Sequence, residues 1–252
     1  MSSAPGDDML APDDALARLG RIRLAEYSMP RLLEEIAALA QQSLPGHPET
    51  SVTLLSGGRA TTAAFAGRLA RELDEAQYRL GHGPCLHAAD SGEPVEIPET
   101  RTDSRWPDFT RLAAAGGCRS SLALPLPLHE GINGALNIYA RHPRAFDDRS
   151  RGFALRFASY SAVVAGNMLL LESALDRARN LEVALASRAV IDQAKGVLME
   201  RFKITADRAF QELARVSMET NTKVRDVAER FVTTGELDAR SDGAGGGIRT
   251  RS

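Results

Sequence analysis

Over 252 residues the chain is 43% hydrophobic and 25% charged, with a net charge of −2, an ordinary globular balance. That length suits one large domain or two smaller ones, and near-neutrality gives no global pull toward nucleic acid or a membrane surface. Two cysteines, Cys85 and Cys118, are too few for a disulfide framework or a four-ligand zinc site. The acidic start MSSAPGDDMLAPDD lacks the apolar run of a signal peptide, and no window approaches the roughly 18 apolar residues of a membrane span. A soluble cytoplasmic protein is therefore expected.

Residues 1 to about 14 are rich in Pro, Asp and Ser and are expected to be disordered. The segment 1–29 is read as disordered or short-helical, with a short helix in ALARLGRIRLAEYS. The run Pro30–Leu44 is a better helix, starting at proline and placing Leu32, Leu33, Ile36, Ala37, Leu39 and Ala40 on one face. TSVTLLSGGRATTAAFAG reads as two strands around Ser56-Gly57-Gly58, a hairpin signal. Short helical pieces and turns follow in LDEAQYRLGHGPCLHAADSGEPVEIP, ending in a strand at PVEIP. The stretch Asp108–Ala115 is helical after the turn-like Arg105-Trp106-Pro107. SSLALPLPL and GALNIYA are the clearest strands, joined by the turn-rich HEGIN.

After Asp147 the texture changes. Proline is absent from Asp148 to about Phe202, and the apolar spacing predicts one long helix or two nearly continuous ones. Leu171, Ala174, Ala178, Leu181 and Leu185 form a heptad seam, which ends where polar Arg188, Asp192 and Lys195 take its next positions. A different stripe, Ile191, Ala194, Leu198 and Phe202, begins there. Thr205 can cap a helix with Ala209, Phe210, Leu213 and Val216 on one face, and Thr222 can cap another with Val224, Val227, Ala228 and Phe231, ended by Gly235. Three amphipathic helices on short connections bury their stripes only against one another, so a three-helix module is expected from roughly 184 to 236. Ile191, Leu198, Phe202, Phe210, Leu213 and Phe231 are assigned to its core. Ser217, on the inner arc, is expected to bond its hydroxyl to backbone.

Inside this module Lys195-Gly196 interrupts a helix, and an interior glycine costs roughly 0.5–1 kcal/mol relative to alanine. Arg188 and Lys195 project together beside the apolar stripe, and Gly196 leaves bare backbone nearby. Such a patch suits close approach by another helix, a phosphate or a base. Asn221 and Lys223 present an amide and an ammonium at one tight turn, with Arg225 and Arg230 beyond it. Between Asn180 and Asp238 there are nine Lys/Arg against ten Asp/Glu, so sequence-independent phosphate attraction is not the expected mode.

The ordered run AKGVLMERFKIT, DRAFQELARVS and N-x-K-V-x-DVA resembles the ANTAR module, a three-helix RNA-binding output domain of bacterial transcription antitermination regulators. The features that carry the resemblance are Arg188, Ile191, Ala194-Lys195-Gly196, Leu198-Met199, Ala209-Phe210, Leu213, Ser217, Asn221, Lys223 and Ala228. It implies recognition of paired stem-loops in nascent leader RNA, preventing an overlapping terminator hairpin. Loop recognition relies on side-chain hydrogen bonds to unstacked bases more than on bulk charge. The residues it points to for RNA are Arg188, Lys195, Gly196, Asn221, Lys223 and Arg225.

Residues 30–170 resemble a GAF domain, a ligand-sensing fold with an antiparallel sheet, through the LDEAQY–EIP run, DSRWPDF, SSLALPLPL and GALNIYA with AFD after it. The pattern is like that of GAF domains joined to ANTAR modules in actinobacteria. Tyr78, Cys85, His87, Trp106 and Arg119 are the candidate ligand-pocket residues. Trp106 also fits a packing anchor, and both cysteines fit quiet buried thiols. His82 and His87 flank Cys85 at a spacing that could touch a metal or haem, but a loop spacing without further ligands is weak evidence for either. Some GAF-like proteins reduce free methionine sulfoxide using a set of cysteines that two isolated ones do not match. The N-K-x-F-x-D-E-type pattern of cyclic-nucleotide binders, a phosphate loop, a nucleophile elbow and an H-E-x-x-H pair are absent from the sequence.

The expectation is an α+β, non-enzymatic, two-domain regulator without cofactor or metal: GAF at 30–170, a helical coiled-coil connector at 171–186, ANTAR at 187–237 and a flexible tail at 238–252. A homodimer through the seam, RNA as partner and an unidentified small-molecule ligand complete the reading. The seam helix could instead pack on its own sheet. Two other functions stand beside it: a helical tail that docks on a protein partner, and a redox or haem sensor through Cys85 or His87.

Overall fold

The computed structural model describes residues 9–129 and 131–237; the expectations for residues 1–8 and for the tail 238–252 lie outside them. The chain divides into two units between Ser173 and Ala174. In the first, α1 (Pro12–Gly20) is followed by a short 3-10 turn at Leu24–Glu26 and by α2 (Met29–Gln42). The expected disorder up to residue 14 is thus corrected at its end. Pro12 opens a helix whose Ala15 and Leu19 are buried in the same core as α2, and that burial outweighs the polar composition.

The strands β1 (Glu49–Ser56) and β2 (Arg59–Ala66) form the expected hairpin, with Gly57 and Gly58 at φ of 56° and 76°, the left-handed pair a tight hairpin requires. Next come α3 (Arg68–Leu80), α4 (Pro84–Ser91), β3 (Val95–Ile97), α5 (Pro107–Ala115), β4 (Ser120–His129) and β5 (Ile132–Ala140). The sheet is antiparallel, in the order β2-β1-β5-β4-β3. Short β3 pairs only with Ser121–Ala123, so Pro125 and Pro127 fall where β4 has become an edge that asks no donor of them.

Alternation along β5 sorts the two faces. Leu136 and Ile138 join α1, α2 and the apolar face of α6 (Asp148–Phe202) in one core, while Tyr139 joins α3 and α5 on the other side. On α6 the first core takes Phe153, Phe157, Ala158, Ala162, Ala165 and Met168, a helical spacing. At Gly166 the helix lies so close to β4 that a Cβ would meet the Leu128 carbonyl oxygen at 2.8 Å. One window of α6 has the length and composition of a membrane span, and 44% of it is buried within the protein. The helix is unbroken over 55 residues, and from Ala174 to Ala186 every residue on it is exposed. Among the described residues the seam positions Ala174, Ala178, Leu181 and Leu185 therefore have no cover, while Leu171 is half-buried against the first core.

In the second unit the end of α6 packs with α7 (Ala206–Thr220) and α8 (Val224–Thr234). Thr205 caps α7 as expected, its hydroxyl accepting from the Arg208 N–H at 3.3 Å, and Gly235 ends α8 at a φ of 75°. Thr222 does not cap α8: its hydroxyl is held by the Thr220 hydroxyl at 2.7 Å, and the helix starts one residue later, after Lys223. Ala194, Leu198, Ala209, Leu213, Val216, Val227, Ala228 and Phe231 form the core. Two core assignments are corrected. Phe202 and Phe210 are 56% and 44% exposed, because three alanines let the helices approach closely and only a narrow stripe on each is covered.

Candidate functional site

Two places in the molecule gather chemistry, one in each unit. The first begins with α3, where Asp74, Gln77 and Tyr78 share one helical face at i, i+3 and i+4 and point at the sheet. There they meet the polar side chains of β1, β2 and β5. One Asp74 carboxylate oxygen accepts from the Tyr139 hydroxyl at 2.6 Å and the Asn137 amide at 3.2 Å; the other accepts from the Thr62 hydroxyl at 3.1 Å. Asp74 is fully buried, and that burial raises its carboxyl to about 6 against the pull of hydrogen bonds from Ser51, Tyr139, Thr62 and Thr53. The Tyr78 hydroxyl sits on the Thr53 and Thr62 hydroxyls at 2.8 and 3.0 Å, so it is one shared threonine away from the buried acid.

Above this floor opens a cleft of about 630 Å³, lined among others by Leu55, Arg59, Tyr78, His82, His87, Asp90 and Trp106. Three of the five expected pocket residues, Tyr78, His87 and Trp106, come together in it. The His87 and Trp106 rings stand 5.8 Å apart and tilted, and the Arg105 guanidinium lies 5.1 Å over the indole. Cys85 is beneath the wall, not on it: its thiol donates to the Thr53 hydroxyl at 3.2 Å, and burial pushes it well up. Arg119 is elsewhere, in a bidentate pair with Glu99 at 2.6 and 3.1 Å that holds the Glu99 carboxyl down at about 2. It falls outside the cleft because β4 begins at Ser120 and Arg119 precedes it, bonded to the β5 end through Ala140. His82 and His87 line the cleft while the Cys85 thiol between them turns inward, so the sequence spacing does not become a convergent ligand set. Cys118 is buried in the separate α3–α5 core, and burial raises its thiol to about 12.

Sequence reasoning missed the floor itself. Thr53, Thr62, Asp74, Gln77, Asn137 and Tyr139 come from four elements. The one available signal was an aspartate with polar partners at i+3 and i+4 on an otherwise ordinary helix.

In the second unit the six expected RNA residues divide into neutralised and unpartnered ones. Lys195 pairs with Asp192 at 3.0 Å and Arg188 with the same carboxylate at 3.7 Å, while Arg225 pairs with Asp226 at 3.0 Å. Asn221 ends α7 in the left-handed conformation at a φ of 50°, and Lys223 precedes α8. Both are exposed, and among the described residues neither side chain has a hydrogen bond or ion pair. The turn is braced from below by the Ser217 hydroxyl, which donates to the Thr222 carbonyl at 2.5 Å, the backbone bond expected of it. Among the described residues a Cβ on Gly196 would meet nothing within 4 Å, so packing between the described helices does not explain that glycine.

Family models place these two regions. A GAF domain matches residues 26–164, more than half of the chain, and an ANTAR domain matches 179–232. The chain is a GAF–ANTAR protein. The GAF fold is repeated in the phycoerythrobilin-bound GAF domain of a cyanobacterial phytochrome, at 14% identity, a TM-score of 0.50, and coverage of 64% of this chain and 97% of that one. A free methionine-R-sulfoxide reductase from Neisseria meningitidis with its substrate is also similar (18% identity, 67% and 97% covered, TM-score 0.49). So is a domain of a sensor histidine kinase protein from Sinorhizobium meliloti 1021 (19% identity, 57% and 94% covered, TM-score 0.46). No curated protein matches the chain. GAF and ANTAR domains are sensory and RNA-binding regulatory modules, which makes the GAF–ANTAR chain a regulator of the antitermination kind.

Proposed function

We propose that this GAF–ANTAR protein is a cytoplasmic, signal-responsive, non-enzymatic antiterminator that binds paired stem-loops in nascent leader RNA and so prevents terminator formation. Its sensor is residues 30–170, its connector 171–186 and its RNA-binding module 187–237. The observation that carries the reading is the turn at Asn221–Lys223, where an unpartnered amide and an unpartnered ammonium stand together inside the ANTAR match. A loop base offers donors and acceptors to the one, and its phosphate a charge to the other. Gly196 and the ion-paired Arg188, Lys195 and Arg225 form the rest of the surface; RNA phosphate would compete with Asp192 and Asp226 for the cations. The cleft of Tyr78, His87 and Trp106 takes the small ligand, above the Cys85 thiol and reporting through Tyr78 to the buried Asp74 network. Arg119 serves that domain as a structural ion pair. The chain acts as a homodimer, its exposed connector being the pairing element.

The test is a titration of the full chain against leader RNA with two adjacent stem-loops, with a loop-scrambled control at two salt concentrations. Loop-dependent binding is expected; equal binding to both RNAs at each salt overturns the reading. A protein partner is the second reading, favoured by Phe210 and Met218, which stand 44% and 76% exposed on α7. Loss of RNA binding on removing Lys223, with folding intact, separates the two.

A further inference from the structure

Elsewhere in the first unit acid meets base: Arg119 with Glu99 at 2.6 Å, Arg141 with Glu49 at 2.7 Å and Arg151 with Glu96 at 2.7 Å. The cleft breaks that pattern. Arg59 and Asp90 both line it and both are exposed, yet among the described residues neither has an ion pair or a hydrogen bond. They come from different elements. Arg59 opens β2 at the hairpin turn, whereas Asp90 stands on α4, three and four residues after His87 and Leu86, so the three share the helix face that lines the cleft. His82, on the turn between α3 and α4, adds a ring N–H donor that is likewise unbonded among the described residues. Between the charges the walls are apolar or aromatic: Leu55, Leu86, Trp106 and the ring of Tyr78. A guanidinium and a carboxylate that share a cleft without meeting leave room for a molecule that carries both opposite charges.

We infer that the cleft binds a small zwitterion of the amino-acid class, with its carboxylate on Arg59 and His82, its ammonium on Asp90 and its apolar body against Leu55, Leu86 and Trp106. The inference rests on the ligand-cleft reading above and names the class of that ligand. Each charge of such a molecule meets an unpaired counterpart, and charge-assisted bonds are roughly twice as strong as neutral ones. A phosphate ligand fits less well on two counts. Asp90 repels its charge, and α4, which starts beside the cleft at Pro84, has its Cys85 N–H already taken by the Gln77 side chain at 2.8 Å. A purely apolar ligand would strip water from Arg59 and Asp90 and return no bond to either.

Trp106 is the single tryptophan of the chain, so its emission reports what enters the cleft. The full chain is titrated with L-leucine and L-phenylalanine, and with the acid and the amine that each becomes on losing its ammonium or its carboxylate (isocaproate and isoamylamine for leucine). Melting of the GAF unit in the same solutions is the second readout. At least one amino acid shifts the Trp106 emission and raises the GAF transition, and its acid and amine analogues each bind about tenfold or more weaker. Asp90→Asn brings that amino acid down to the affinity of its acid analogue, and Arg59→Gln to that of its amine. Both side chains are exposed and unbonded among the described residues, so both variants fold. An acid or amine analogue that binds as well as its amino acid overturns the zwitterion and leaves the cleft reading standing with a singly charged ligand. Silence of both readouts to all six compounds overturns the inference. The cleft reading is judged apart, with anilinonaphthalene sulfonate as probe: energy transfer from Trp106 keeps the cleft as a site for another class, and its absence removes both.

Discussion

In the GAF unit the informative polar groups lie beneath helices: Asp74, Asn137 and Thr53 are each at most 1% exposed and bonded to one another. In the ANTAR unit the core is wholly apolar, and the informative groups, Asn221 and Lys223, stand in water. The contrast is one of dielectric. A buried network changes its proton and hydrogen-bond states sharply when a neighbour changes, which suits sensing, whereas an exposed amide and ammonium remain available to a large partner. The GAF unit therefore ties stability to its site, and the ANTAR unit separates the two.

That contrast can be broken at four strengths. The largest effect is expected from Phe231→Ala, which empties the small ANTAR core and costs about 3–5 kcal/mol, abolishing the helical melt of residues 190–237 while the GAF transition stays put in calorimetry. If both transitions fall together, the units are not energetically separate.

Next comes Asp74. Its folded carboxyl is raised to about 6 from 3.8, so its stabilising contribution is full below 3.8 and is lost as pH rises through about 6. Up to about 3 kcal/mol of GAF-unit stability should disappear across that window, read from denaturant midpoints at pH 4 and pH 7.5. Asp74→Asn should flatten the dependence, since Thr62 and Thr53 hydroxyls can turn to accept from the new amide. An unchanged pH slope in that variant would show that another group titrates.

Third, Asn221→Gly, which keeps the left-handed backbone that ends α7, and Lys223→Ala should each weaken loop-RNA binding by about 1–2 kcal/mol at constant melting temperature, and Lys195→Ala by less, because Asp192 already neutralises it. An equal loss at all three positions would mean that RNA displaces the Asp192 pair at little cost. Smallest, Thr205→Ala removes the α7 cap and should lower the ANTAR transition alone by about 1 kcal/mol, with RNA affinity intact.

Much of this was legible in the residues. The Gly57-Gly58 hairpin, the two long strands, the unbroken helix after Asp147 and the Thr205 cap each depend on a local rule: a backbone conformation, an alternation or a missing proline. The ANTAR turn was legible for the same reason, since Asn221 and Lys223 are two residues apart and need no folding to be near. Arg119 and Cys85 went astray because sequence nearness to a loop says nothing about the side of the sheet a side chain takes. Phe202 and Phe210 went astray because helical spacing gives the direction of a stripe and not its width.

The sequence by itself thus determined the two-module order and the local elements, because 3.6- and 2-residue periods, turn glycines and caps are set by neighbours along the chain. Only the tertiary structure decided which polar groups share a buried floor, which cations are neutralised and which apolar line on α6 stays uncovered. Those outcomes depend on what the sheet and the helix neighbours happen to cover. Burial is a property of distant residues meeting, and the free energy of a charge or a methyl group depends more on that meeting than on its place in the sequence.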